Sequence, residues 1–344
     1  MMKVTIGLFA RDEERDLPAL MEDLSRQDIF RDASFDARIL ILANGCTDAT
    51  VAVARDMLAR LPAHFSGRVR VMDLEQGGKS RTAHRFIHDF SGPEDDILGF
   101  MDADIRLPDP QALRKMAQML RDRSELLVLT SRPVKDTVLS GTARGMVPRL
   151  IAMGGDGLTD WRKSICGQLF MTRAAAVRRI GIPTGLPVED GFFRAMLLTG
   201  LLSRPEDLSV IDGHPEVFHV YRSIDTLPAL VRHQARIVIG SAINAAIYRK
   251  LRAQTRSEAE AHDLLMQAAA DEGWLQTVIA QELPRRPYGY VPFEMIGKRW
   301  RRYAAGRRFG ARPTLGLVLG TGLDIVVWFV ASYKMHKGAG AGYW

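Results

Sequence analysis

Short, mainly apolar runs alternate with amphipathic ones along the first part of the chain, and this alternation restricts its fold more than any other feature. The apolar runs at 4–9, 38–43, 69–74, 96–101 and 126–130 read as strands. Between them lie helical patterns. One is marked by Leu17, Leu20, Met21 and Leu24, a second starts near Thr47-Asp48 as its cap, a third covers 80–90 after a Gly77-Gly78 turn, and a fourth covers 109–120. Strands that are apolar on both faces and joined through helices predict βαβ units and a mostly parallel sheet, flanked by helices. After Pro205 the character shifts: a short extended run at 217–220 precedes helical stretches at 227–251, 259–270 and 274–282. The boundary is expected near Arg222, with an α/β domain over 1–222 and a helical, basic extension over 223–344. A chain of 344 residues buries a large core without covalent staples. The two cysteines, Cys46 and Cys166, form no CxxC pair, which argues against a disulfide scaffold or a thiolate zinc site and fits a reducing compartment. Residues 1–10 carry too short an apolar run for a secretory signal, so the expected location is cytoplasmic.

The net charge of +7 is concentrated. Residues 284–312 hold nine basic side chains and one acid, Glu294, for +8, while the remaining 315 residues sum to −1. Tyr288, Tyr290, Phe293, Trp300, Tyr303 and Phe309 interleave them. Such a segment suits an anionic membrane surface or nucleic acid. The stretch that follows, 314–333, is uncharged except for Asp324. A spanning helix needs roughly 20 apolar residues and a central Asp costs about 2.5–3.5 kcal/mol, so crossing is marginal. The basic-aromatic and apolar segments together favour peripheral attachment to the cytoplasmic face of a membrane over nucleic acid. The competing reading is a core helix with a solvated basic face.

In parallel α/β sheets ligands bind at the carboxyl ends of the strands. Asp102-Ala103-Asp104 follows one strand there, and two carboxylates so placed can hold a hard divalent cation with phosphate oxygens completing its shell. Lys79, after Gly77-Gly78, could reach the same phosphates or simply be a solvated lysine at a turn. Asn44-Gly45-Cys46-Thr47-Asp48 reads as a turn with a helix cap. Glu189-Asp190 opens a helical run, where a helix N-terminus favours ionised carboxylates, and either complements the dipole or supplies a general base.

In order and separation, four features resemble the family-2 inverting glycosyltransferases of the GT-A fold. They are Ala10-Arg11-Asp12-Glu13-Glu14, Asn44 to Asp48, Gly77-Gly78-Lys79-Ser80 and Asp102-Ala103-Asp104. Gly167-Gln168-Leu169-Phe170, Glu189-Asp190 and Gln234-Ala235-Arg236 continue the match over about 3–240. The resemblance implies a nucleotide-diphosphate sugar donor, Mn²⁺ or Mg²⁺, and a hydroxyl acceptor, possibly a lipid. Carried over, Ala10, Arg11, Glu13, Asn44, Lys79, Asp102, Gln234 and Arg236 would bind the donor. Asp102 and Asp104 would hold the metal, and Asp190 would be the base with Glu189 beside it. Asn44 stands where an aspartate often contacts the base, and Gln234 with Arg236 lacks the spacing and tryptophan of processive members, which points to a single transfer. His219, in Glu216-Val217-Phe218-His219-Val220, could touch the metal, or be a satisfied structural histidine.

Three rivals stand beside this reading. A sugar nucleotidyltransferase would share the GT-A fold, but its Gly-rich loop after the first strand is absent, since Gly7-Leu8-Phe9-Ala10-Arg11 holds one glycine. A haloacid dehalogenase-type phosphatase would use the strand before Asp102 and the acidic loop Gly155-Asp156-Gly157-Leu158-Thr159-Asp160, but Arg106 occupies its threonine position. A nucleic-acid-binding protein would work through the basic tail.

Overall fold

The computed structural model describes residues 1–140, 160–224, 226–283, 291–305 and 311–337. Eight strands form one sheet in the order β3-β2-β1-β4-β7-β6-β8-β5. They are β1 (Met2–Ala10), β2 (Phe35–Asn44), β3 (Val69–Leu74), β4 (Ile97–Asp102), β5 (Ile105–Arg106), β6 (Val128–Lys135), β7 (Leu169–Arg173) and β8 (Ile211–Tyr221). Helices α1 (Leu17–Ser25), α2 (Thr50–Arg60), α3 (Lys79–Arg85) and α4 (Ala112–Asp122) connect the early strands. The sheet is mostly parallel, as expected; β7 runs against β4 and β6, and β5 against β8. β1 is buried from Val4 to Ala10, which explains why its pattern is a continuous apolar run instead of an alternation.

Differences from the sequence reading have local causes. α2 begins at Thr50, past the expected Thr47-Asp48, because the Asp48 carboxylate accepts from the Thr50 N–H at 2.9 Å and closes a turn first. Helix α3 gives way to a wider turn over Phe86–Phe90. β8 is 11 residues long, although only 217–220 look extended in sequence, since Asp212, His214, Pro215 and Glu216 mask its start. It lies beside β6 with a register shift between Thr130 and Arg132. Residues 155–159 of the acidic loop lie outside the described residues.

Aromatic rings tie the strands that carry the site. Phe100 of β4 stacks on Phe170 of β7 at 4.6 Å, its direct partner across the ladder, and meets Phe86 edge-on at 5.2 Å. Phe193 of α5 (Glu189–Leu198) closes on Phe100 at 5.2 Å. The long α6 (Leu227–Gln254), capped by the Thr226 hydroxyl, buries Ala235, Ile239, Ile243, Ala246, Ile247 and Leu251 at helical spacing. This face shares one apolar cluster with the sheet and α5.

Gly240 is where α6 and the start of α5 approach most closely: an added Cβ would lie 2.2 Å from Val188 Cγ2. Gly240→Ala should therefore overpack this contact and lower stability by about 1–3 kcal/mol in urea unfolding. Adding Val188→Ala should recover part of the loss. Equal destabilisation with and without the second change would show that the contact is not the cause.

Candidate active site

Two loops at the carboxyl ends of β1 and β2 are clasped by side-chain hydrogen bonds. Asp12, at φ +56, uses Oδ1 to accept from the Thr47 N–H at 2.6 Å and the Thr47 hydroxyl at 3.2 Å. Thr50 Oγ1 accepts from the Glu13 N–H at 2.8 Å, Asp48 Oδ2 from the Glu14 N–H at 3.1 Å, and Glu14 Oε2 from the Ala49 N–H at 3.0 Å. The Cys46 thiol donates to the Ala10 carbonyl at 3.4 Å. Asp12, Cys46 and Asp48 offer ligand atoms within 4.8 Å of one another, the one such set among the described residues. Their oxygens already accept these bonds, so the set works as a clasp.

Asn44 joins the third loop. Its Oδ1 accepts from the Gly78 N–H and the Thr82 hydroxyl, both at 2.8 Å. Gly45 sits at φ +61 with its Cα side against Gly77, where a Cβ would fall 2.7 Å from the Gly77 nitrogen. Only glycine satisfies both conditions. A Cβ at Gly77 would lie 3.6 Å from the Arg11 guanidinium. Asn44, expected against the donor base, thus spends its side-chain oxygen holding the loop that presents Lys79.

Lys79 is the centre of the arrangement. Its Nζ lies 2.7 Å from Asp102 Oδ1 and 3.0 Å from Glu189 Oε1. It joins the start of α3, the end of β4 and the start of α5. Burial alone would lower the lysine's pKa, but the charges of Asp102 and then Glu189 outweigh it, and the ammonium is held well above its ordinary range. The Asp102 N–H donates to the Gln168 carbonyl at 2.9 Å, which fixes the strand end. Asp104 is exposed.

One lysine does not balance the acids around it. Burial, then the charges of Asp104, Asp16, Asp102 and Asp48, push Glu13 up to about 8. Burial likewise raises Asp102 to about 6; Lys79 opposes the shift and Asp104 adds to it. Crowded oxygen donors at a strand end, with carboxyls raised by burial and then by their neighbours' charge, match what a hard divalent cation needs.

Asp190 follows Glu189 into α5. Its Oδ1 accepts from the Gly191 N–H at 2.7 Å, and a Cβ at Gly167 would lie 3.2 Å from its Oδ2, so the strand leading to β7 passes directly beneath the carboxylate. Burial and the adjacent Glu189 raise its pKa; the Gly191 N–H, Lys79 and Arg236 pull the other way. Arg236 therefore stands near the expected base, on α6. Gln234 is half-buried on the same helix. Asn244 Nδ2 donates to the Val188 carbonyl at 3.1 Å and the Tyr248 hydroxyl to the Gly191 carbonyl at 3.2 Å, locking α6 onto the turn that carries Asp190.

His219 is fully buried with both ring nitrogens engaged: Nδ1 with the Ser131 hydroxyl at 3.0 Å and Nε2 with Gln168 Oε1 at 3.2 Å. Burial lowers its pKa to about 3, so the ring is neutral, donating to Gln168 and accepting from Ser131. This is the satisfied structural histidine, and it positions Gln168 beside Asp102. Sequence reasoning missed Ser131, Thr82, Asn244 and Tyr248. These residues act through the fold and carry no motif.

An α/β sheet with clasped loops, an acidic strand end and a half-buried carboxylate beside it defines a GT-A transferase. The sequence profile of glycosyl transferase family 2 matches residues 5–181, just over half of the chain, and the chain belongs to that family. It is a glycosyltransferase, and the phosphatase reading is set aside. No curated protein matches the sequence. Among solved structures, a mannosyltransferase from Pyrobaculum calidifontis in complex with GDP-mannose and Mn²⁺ is similar at 14% identity and TM-score 0.53, over 97% of this chain and 86% of that one. A mannosyl-3-phosphoglycerate synthase from Rubrobacter xylanophilus aligns at 17% identity and TM-score 0.49, over 74% of this chain and 76% of that one. A glucosyl-3-phosphoglycerate synthase from Mycobacterium tuberculosis aligns at 20% identity and TM-score 0.48, over 72% and 80% respectively.

The raised carboxyls make stability fall with pH. Between the ordinary glutamate pKa of 4.5 and about 8, folded Glu13 holds a proton that the unfolded chain has released, so each pH step upward favours unfolding. In metal-free buffer the melting temperature should drop between about pH 4.5 and about pH 8, and Glu13→Gln should flatten that drop. An equal slope in the variant would refute the raised Glu13 pKa.

Proposed function

We propose that the chain moves one sugar, with inversion, from a nucleotide-diphosphate sugar to an acceptor hydroxyl on a lipid or lipid-linked glycan. The observation that carries this reading is Lys79, bonded at once to Asp102 and Glu189, since it brings the strand-end carboxylates and the helix bearing Asp190 to one place. Ala10, Arg11, Glu13, Asn44, Lys79, Asp102, Gln234 and Arg236 form the donor side. Asp102 and Asp104 would hold Mn²⁺ or Mg²⁺, the former being the cation named for the Pyrobaculum structure. When bound, that cation would offset the charge that grows on the diphosphate.

The remaining chemistry belongs to the protein. Asp190, its pKa raised by burial and Glu189, accepts the acceptor hydroxyl's proton as the oxygen bonds to the anomeric carbon. The bond from that carbon to the diphosphate oxygen breaks, and its electron pair leaves with the diphosphate. The Lys79 ammonium adds a fixed positive charge beside Asp102 on the donor side. Attack from the face opposite the leaving group inverts the centre and needs no covalent enzyme intermediate.

The extension over 223–344 attaches the enzyme peripherally to the cytoplasmic face of an anionic membrane in this reading. The +8 charge of 284–312 and the apolar Gly316–His336 helix support it.

Asp190→Asn keeps the shape and removes the proton acceptor, so turnover should fall by about 10²–10⁴ with donor affinity nearly unchanged. Lost donor binding with normal turnover would place Asp190 elsewhere. Nucleoside diphosphate should raise the melting temperature only with Mn²⁺ or Mg²⁺ present, and Asp104→Ala should abolish that shift. The same shift in EDTA would remove the metal from the reading.

A further inference from the structure

After α7 (Glu258–Ala270) and α8 (Trp274–Glu282), helices α9 (Glu294–Ala305) and α10 (Ala311–His336) form an antiparallel pair with specific cross-links. Arg299 grips Asp324 with two bonds, Nε to Oδ2 at 2.5 Å and Nη2 to Oδ1 at 3.1 Å. Trp300 Nε1 donates to Thr321 Oγ1 at 3.0 Å, and the Tyr303 and Thr314 hydroxyls share a hydrogen bond of 2.7 Å. As numbers rise on α9 they fall on α10, so the basic helix lies alongside the apolar one.

The two flanks of α10 differ. Leu317, Val327, Trp328, Ala331 and Met335 are buried, and Trp328 Nε1 donates to the Val291 carbonyl at 3.0 Å. Val327, Trp328, Ala331 and Met335 join the apolar cluster that contains α6. The other flank exposes Val318, Leu319, Ile325, Val326, Phe329 and Tyr333.

We propose that the α9–α10 pair lies flat in the interfacial zone of an anionic bilayer, with the outer flank of α10 among the upper acyl chains, and does not cross it. This rests on the membrane attachment proposed above and specifies its form. By length and composition Gly316–His336 qualifies as a span, but its partners forbid one. Asp324 lies near the middle of that stretch, so crossing would carry Arg299 and the rest of basic α9 to the hydrocarbon centre, where charges are costly. The inner flank is also committed to α6 and cannot face lipid.

Lying flat satisfies each group. The apolar flank reaches about 5–10 Å below the headgroups, and the exposed aromatics Trp300, Phe329 and Tyr333 suit the polar–apolar boundary. The basic charge stays at headgroup level. A second copy is a poorer occupant for the same flank, because two +8 segments would be brought together.

The test uses the full chain with Cys46 and Cys166 changed to Ala and one nitroxide label at Val318→Cys, Ile325→Cys or Tyr333→Cys. Binding to phosphatidylcholine–phosphatidylglycerol vesicles is measured by co-sedimentation, and label depth by power-saturation spin resonance. All three labels should report the same shallow depth of about 5–10 Å. A much deeper Ile325 label, flanked by shallower ones, would mean a span and overturn the flat seating while leaving membrane attachment intact. Bound protein with all labels in water would do the same. Absence of co-sedimentation would overturn both. In a second arm, Val318→Glu with Ile325→Glu and Phe329→Glu should weaken vesicle binding more than about tenfold with the melting temperature retained. Unchanged binding, or a vesicle-free dimer that this triple variant dissolves, would remove the bilayer as occupant.

Discussion

The site depends on one half-buried cation. Lys79 stands between Asp102 and Glu189, on segments that the sheet brings together from 23 and 110 positions away in sequence. A charged pair taken from water is stable only when geometry and further bonds satisfy it, and here two carboxylates share one ammonium. The loop that presents the lysine is held by Asn44, the strand end by the Gln168 carbonyl, and the helix by its packing on α6. The lysine thereby brings the strand-end carboxylates and the helix that carries Asp190 to one place. Its single charge leaves the surrounding acids unbalanced, and this residual repulsion suits the group to gaining a cation.

The loops around it owe their order to local chemistry. Asp12, Glu14, Asp48 and Thr50 trade hydrogen bonds across two loops whose backbone N–H groups have no strand partner. Gly45 is required because its backbone is both left-handed and pressed against Gly77. Behind them, the stack of Phe100 on Phe170, with Phe86 and Phe193, makes the strand ends a rigid platform.

The same principle recurs at the far end of the chain. Asp324 interrupts an apolar helix, and Arg299 from the neighbouring helix neutralises it. In sequence that aspartate reads as a cost against membrane insertion; in the structure it is the link that keeps a basic helix beside an apolar one. Charge and apolar surface are therefore presented together, a combination that neither segment has alone.

Much of the fold is legible in the residues themselves. Continuous apolar runs imply strands covered on both sides, and polar clusters at their ends, Asp102-Ala103-Asp104 and Lys79 among them, mark the working edge, because such a sheet leaves only its strand ends open to ligands. Only the second half of β8 is legible, because its first half is polar on an edge that faces Arg123 and Lys115, and a two-residue strand such as β5 carries no period at all. The roles of His219 and Asn44 were also undetermined by sequence. A histidine can ligate or donate, and an asparagine can face a ligand or a loop. What decides is which groups the fold places within hydrogen-bond reach, here Ser131 and Gln168 for one and Gly78 and Thr82 for the other. Residue type and order along the chain determined the kind of sheet and the chemistry available at its edge. Tertiary structure alone decided the pairings, because hydrogen bonds and ion pairs act over a few ångströms and the partners lie tens of residues apart.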